Sequence, residues 1–163
     1  MLHEYCQKWK LTVNTMKTKV MFFRKGRRLR NNISFTYVGA SIDIVSKFVY
    51  LGIVFTTGGS FSDAQSALAG QSFKVFFKLN KYMYRFTDIT VKHKLDLFDK
   101  LVLPVLNYGS EVRGFNHGCA VGRVHLQYCK YLLGVKNDFV YGKIGRKPLQ
   151  CQRLYNIVKF WIR

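Results

Sequence analysis

Phe48-Val49-Tyr50-Leu51-Gly52-Ile53-Val54-Phe55-Thr56-Thr57-Gly58-Gly59-Ser60-Phe61 is the stretch where the chain changes from one kind of structure to another. Its first eight residues are aromatic, aliphatic or glycine, and Gly58-Gly59 closes the run soon after. A short apolar run with a glycine pair behind it predicts a buried strand, Phe48–Phe55, that ends in a turn. Directly afterwards apolar residues recur every three or four positions, the period of a helix.

Upstream, Val20–Phe23, Phe35–Val38 and Ile42–Val45 are further short apolar runs, the last two separated by the turn residues Gly39-Ala40-Ser41. No helix-length pattern lies between them. With Phe48–Phe55 they predict one small, mostly antiparallel sheet. Leu2, Tyr5, Cys6 and Trp9 fall on one face of a short helix that precedes it. Arg24-Lys25-Gly26-Arg27-Arg28-Leu29-Arg30 places five cations in seven residues and is closed by Asn31-Asn32. It reads either as a solvated hairpin loop or as a phosphate-gripping or nuclear-import segment.

Downstream, Ser62 is expected to cap a helix that runs to about Phe86. Phe76, Leu79, Met83 and Phe86 share one face of it, and Lys74, Lys78, Lys81 and Arg85 the opposite one. At about 100° per residue the four cations fall within an arc of about 60°. Cations three and four apart repel one another unless something anionic lies along them. Phe73, Phe77 and Tyr84 flank the stripe, as stacking platforms for bases would. The plain alternative is a solvated face with those aromatics turned into the core. Val91, Leu95, Phe98 and Val102 predict a second helix, ended or kinked by Pro104. Val121, Val124, Tyr128 and Leu132 predict a third, stopped by Gly134. Leu154, Ile157, Val158 and Trp161 mark the inner face of a last one, from Leu149 to Ile162. The expected fold is α+β, with the small sheet in residues 1–60 and a helical bundle in residues 61–163.

Charge limits the partners. Twenty-seven Lys and Arg against 8 Asp and Glu give the 163-residue chain a formal charge of +19. Such an excess favours polyanions, most often nucleic acid, with an anionic membrane surface as the competitor. No apolar run approaches the roughly 18 residues of a membrane span, and Met1-Leu2-His3-Glu4-Tyr5 lacks a signal-peptide profile. The expectation is an intracellular chain, in nucleus or cytoplasm, with no membrane partner. Cys6, Cys119, Cys129 and Cys151 have no short paired spacing and read as reduced thiols. His117, Cys119, His125 and Cys129 can be drawn as a zinc site, but helical packing accounts for His125 and Cys129 without metal. Gly142-Lys143-Ile144-Gly145-Arg146 is read as a turn, its Gly-x-x-Gly only faintly like a phosphate clamp.

No catalytic constellation assembles from the residues. Glu4, Asp43, Asp63, Asp88, Asp96, Asp99, Glu111 and Asp138 are spread along the chain, whereas a two-metal site needs carboxylates converging on ions about 4 Å apart. Asp96 and Asp99 read as surface acids beside Lys100. No nucleophile elbow, phosphate loop or zinc-protease motif occurs. The chain is not expected to be an enzyme, and neither a catalytic residue nor a metal ligand is assigned.

Several blocks in order nevertheless resemble non-LTR (LINE-type) retrotransposon reverse transcriptases. They are Cys6-Gln7-Lys8-Trp9-Lys10-Leu11-Thr12-Val13-Asn14-Thr15-Met16-Lys17-Thr18-Lys19-Val20-Met21-Phe22-Phe23, Phe48-Val49-Tyr50-Leu51-Gly52, and Leu97–Glu111 with its Leu103-Pro104-Val105-Leu106-Asn107-Tyr108-Gly109. Val124–Val135 and Tyr141–Leu149 are similar to the segment downstream of the polymerase in that family. The resemblance spans nearly the whole chain and implies the end of a palm, a primer-grip hairpin and a helical thumb. It implies that Lys17 matches the lysine that approaches the incoming triphosphate. Tyr50, Leu51 and Gly52 match the primer grip, and Lys74, Lys78, Lys81 and Arg85 lie on the thumb helix that follows template and primer.

The family's metal-binding Asp-Asp turn has no counterpart in the sequence, so the magnesium of such polymerases would belong to a part not represented. No cofactor is expected. Arg113 stands where the family usually has Trp, and Lys143 where Glu is usual. The resemblance thus implies a truncated, catalytically inactive polymerase remnant that binds RNA or RNA–DNA duplex. The alternatives are a thumb half complementing a separate catalytic half, and a fragment without function.

Overall fold

The structure is a computed structural model that describes residues 1–26, 33–86, 88–113, 119–136 and 139–162. Arg27, Arg28, Arg30, Asn31 and Asn32 of the basic segment, and His117 and Asp138, lie outside the described residues. The chain divides into two compact units, Met1–Ser60 and Phe61–Arg163.

The first unit contains helix α1 (Leu2–Lys8) and strands β1 (Phe35–Tyr37), β2 (Ala40–Ile42), β3 (Lys47–Tyr50) and β4 (Ile53–Thr56). The expected single buried strand over Phe48–Phe55 is instead the hairpin β3–β4, antiparallel with Tyr50 opposite Ile53. Its turn is Leu51-Gly52, with φ of 48° and 76°. Two central residues at positive φ are what a type I′ turn requires, and that turn matches the right-handed twist of the strands it joins. Glycine adopts such a φ freely and leucine does not. Val49, Tyr50 and Leu51 are all exposed.

β1 and β2 form a second antiparallel hairpin, Tyr37 opposite Ala40, through Val38-Gly39 at φ 47° and 78°. The turn expected at Gly39-Ala40-Ser41 is therefore displaced, and Ala40 and Ser41 belong to β2. Val20–Phe23 is not a strand but contributes one isolated parallel bridge, Val20 to Ile44. There Val20 N–H donates to the Asp43 carbonyl at 3.0 Å, and Val45 N–H donates to that of Val20 at 2.9 Å. The result is two separate two-stranded sheets rather than one. The fold class is α+β, with small antiparallel sheets and mostly helix. Cys6 is the one buried residue among those described in this unit. Leu2, Tyr5 and Trp9, the expected inner face of α1, are exposed.

The second unit is helical: α2 (Ser62–Met83), α3 (Val91–Leu101), α4 (Leu103–Asn107), α5 (Ser110–Arg113), α6 (Cys119–Leu133), α7 (Val140–Ile144) and α8 (Leu149–Trp161). Ser62 is the first helical residue of α2 rather than its cap; Phe61 holds the cap position without a side-chain hydrogen bond. Asp63 in the first turn complements the positive end of the helix dipole. Thr90 caps α3, its hydroxyl accepting from His93 N–H at 3.4 Å. Pro104 falls in the first turn of α4, where its missing N–H costs nothing, so α3 ends and α4 starts around it.

Ala69, Phe76, Leu79 and Met83 of α2 pack in one core with Phe98 of α3, Val102 at the α3–α4 junction, Leu106 of α4, and Val121, Val124 and Tyr128 of α6. The Phe98 and Tyr128 rings stack with centroids 4.2 Å apart, and Phe76 meets Tyr128 edge-on at 5.4 Å. Tyr128 Oη donates to the Lys94 carbonyl at 2.5 Å, so the buried hydroxyl is satisfied. Gly134, at φ 63°, follows the end of α6. On α8 Ile157 of the expected inner face is buried, but Leu154, Val158 and Trp161 are exposed, and the buried row is Leu149, Arg153 and Ile157.

Candidate nucleic-acid interface

α2 carries the candidate surface because its sequence separates apolar from cationic residues at helical spacing. Phe76, Leu79 and Met83 are buried, whereas Lys74, Lys78, Lys81 and Arg85 are exposed. None of these four cations makes an ion pair among the described residues. Lys74 to Lys81 spans about 10 Å of helix axis, the length of about three base steps.

Arg85 lies beyond the helix, which ends at Met83. The chain continues in i→i−3 bonds, Arg85 N–H to the Tyr82 carbonyl at 3.1 Å and Phe86 N–H to that of Met83 at 3.2 Å. Tightening the last turn takes Phe86 off the buried row, and it is exposed rather than packed with Met83.

The flanking aromatics divide. Phe73 leans on the core, but Phe77 (64% exposed), Tyr82 (61%) and Tyr84 (82%) face water. Phe73 and Phe77 stack with centroids 6.2 Å apart, which holds Phe77 from beneath. At the C-terminal end of α2 a groove of about 320 Å³ is lined by Met83, Tyr84, Phe86, Lys94, Tyr131 and Leu132. Three aromatic rings and an ammonium in one groove beside a row of unpaired cations combine base stacking with phosphate attraction.

The other sequence-designated residues lie in the first unit. Lys17 is exposed on a polar turn, where its N–H donates to Asn14 Oδ1 at 3.1 Å and the Thr18 hydroxyl to the Asn14 carbonyl at 2.8 Å. Tyr50, Leu51 and Gly52 form the end and turn of the β3–β4 hairpin. The designated residues are thus shared between the two units, Lys17 and the hairpin turn in one, the cations of α2 and Arg85 in the other.

Two features escape sequence reading. Asp99 is not a plain surface acid: Arg146 grips it with both arms, at 2.7 and 2.5 Å. Gly145, left-handed at φ 63°, ends α7 just before that arginine. His125 is buried and stacked on Phe98 at 5.6 Å, and burial together with the nearby Arg146 charge lowers its pKa to about 4. Cys129 is fully buried and its thiol is pushed up to about 11 by burial, while Cys119 is exposed. No group of three or more metal-binding side chains occurs among the described residues. The four cysteines are free thiols.

The second feature is a pair of buried arginines. Arg113 is 0% exposed and Arg153 2%. Arg113 Nε donates to the Tyr108 carbonyl at 2.7 Å and Nη2 to that of Leu106 at 2.5 Å. Burial, then the Arg153 charge, lower its pKa to about 10. Arg153 stands at i+4 from Leu149 and i−4 from Ile157, so a charged residue in an apolar row was the available signal.

No helix among the described residues is long and apolar enough to cross a membrane. Compared with protein-family models, with curated proteins and with solved structures, the chain matches none of them.

Proposed function

We propose that the chain is a catalytically inactive nucleic-acid-binding fragment that resembles the thumb and primer-grip part of a non-LTR retrotransposon reverse transcriptase. Its partner is RNA or an RNA–DNA duplex. The observation that supports this most is the row of Lys74, Lys78, Lys81 and Arg85, exposed, without ion-pair partners among the described residues, and bordered by exposed Phe77, Tyr82 and Tyr84.

Holding like charges together on one face is unfavourable in the free protein and becomes favourable when a phosphate backbone lies along it. Phosphate contacts carry no sequence information, and stacking tolerates any base, so binding is sequence-tolerant. The β3–β4 turn supports the same reading, since Gly52 presents bare backbone beside exposed Tyr50 and Leu51. Fluorescence anisotropy with a labelled RNA–DNA duplex tests the proposal. Binding at low salt, with log K falling linearly as log salt rises, is the expected result. No binding at low salt, or binding indifferent to salt, refutes it.

A further inference from the structure

α8 begins without a side-chain cap, because Pro148 occupies the cap position. A cavity of about 230 Å³ opens there, its lining including Cys119, Gly122, Tyr141, Leu149, Gln150 and Arg153. Helical side chains lean toward the N-terminus, so Arg153 reaches back over the turn that holds Leu149 and Gln150. Its guanidinium is buried, yet Nε and Nη2 have no hydrogen-bond partner. Arg113, on α5, which packs against α8, also keeps Nη1 unpaired and lies close enough for the two charges to repel. Glu111 offsets part of the Arg113 charge, but neither guanidinium has a carboxylate in ion-pair contact among the described residues. That is unfavourable for buried charges, and an anion reverses it.

We propose that the Arg153 fork and the uncapped start of α8 form a binding site for a phosphate-type oxyanion. Nε and Nη2 lie in one plane and donate in parallel to two oxygens of a tetrahedral anion. The Leu149 and Gln150 N–H groups at the start of the helix are offered to a third, while that of Cys151 donates to the Pro148 carbonyl at 3.0 Å. Leu126 and Leu149 give the cavity an apolar wall, which lowers the local dielectric and strengthens each contact. The site is separate from the α2 stripe and does not depend on the nucleic-acid reading.

Thermal unfolding of the full chain in inorganic phosphate, against chloride at matched ionic strength, tests it. A saturable rise in Tm of about 3–6 °C is expected at phosphate ten times above Kd. Sulfate should act similarly, and planar acetate more weakly. Arg153→Gln should abolish the rise, and a Lys74→Ala, Lys78→Ala, Lys81→Ala variant should keep it. Arg153→Met, which removes the buried charge, should fold without phosphate and be insensitive to it. If neither Arg153 variant folds, a Cys151→Ser chain leaves Cys119 as the one exposed thiol, and phosphate should slow its alkylation several-fold. No rise in the unaltered chain, an equal rise in an Arg153 variant, or unprotected Cys119 overturns the proposal.

Discussion

The two units solve the problem of 14 phenylalanines and 10 tyrosines differently. In the helical unit one set of large apolar side chains builds a core, with Phe98, Val102, Leu106, Val121 and Tyr128 wholly buried, while others such as Phe77, Tyr84 and Trp161 stay exposed. In the first unit Phe23, Phe35, Val49, Tyr50 and Leu51 remain exposed, and Cys6 alone among its described residues is buried. The first unit is held by hairpin ladders, type I′ turns and local contacts such as Phe22 with Phe35 at 5.7 Å. Short hairpins without a covered face are marginal in water. The comparison teaches that burial of large apolar side chains is concentrated in the helices, and differences in stability between the units are expected from it.

The largest expected effect comes from the core. Phe98→Ala should cost about 3–5 kcal/mol, because it removes a fully buried ring stacked on His125 and Tyr128 and leaves a cavity there. Val49→Ala in the first unit should cost under about 0.5 kcal/mol. Trp9 and Trp161, one in each unit, report the two separately in urea titrations of chains carrying a single tryptophan. Equal costs would erase the contrast.

Acid sharpens the contrast next. The folded pKa of His125 is depressed to about 4 from an ordinary 6.5. Its contribution is therefore complete above pH 6.5 and is lost as the pH falls toward 4, because the unfolded chain takes up the proton first. About 2–3 kcal/mol should disappear from the helical unit over that window. His125→Gln should remove that step from the pH–stability profile. Asp99→Asn should cost about 1 kcal/mol, since the pair with Arg146 is partly exposed and the remaining contact is a neutral hydrogen bond. Denaturant midpoints at pH 7 check this. Replacing Lys74, Lys78 and Lys81 by alanine should barely change stability, and if anything raise it by relieving repulsion.

The helical unit was largely legible because period carries both helix and face, as with Phe76, Leu79 and Met83, or Val121, Val124 and Tyr128. Helix ends were less so: Phe86 left the buried row when α2 tightened after Met83. In the first unit Gly52 inside Phe48–Phe55 was the hairpin signal, masked by apolar residues on both sides. A continuous apolar run does not distinguish one buried strand from a hairpin. The cationic row was legible from spacing, and its exposure matches what the period implied. The buried pair Arg113 and Arg153 was not, because solvation makes exposure the default for arginine. The grip of Arg146 on Asp99 joins residues 47 apart in sequence, beyond the reach of any local pattern.

The most direct measurement compares two variants that each remove three charges from the +19. One changes Lys74, Lys78 and Lys81 to alanine; the other changes Lys92, Lys100 and Lys143, exposed lysines of the same unit outside α2. Their affinities for an RNA–DNA duplex are read across salt. If the α2 face is the interface, the first variant should bind at least about tenfold more weakly, and its log–log salt slope should be shallower by about 2–3. The second should stay close to the unaltered chain. Equal losses in both variants would show that net charge alone draws nucleic acid and that the face of α2 has no special part.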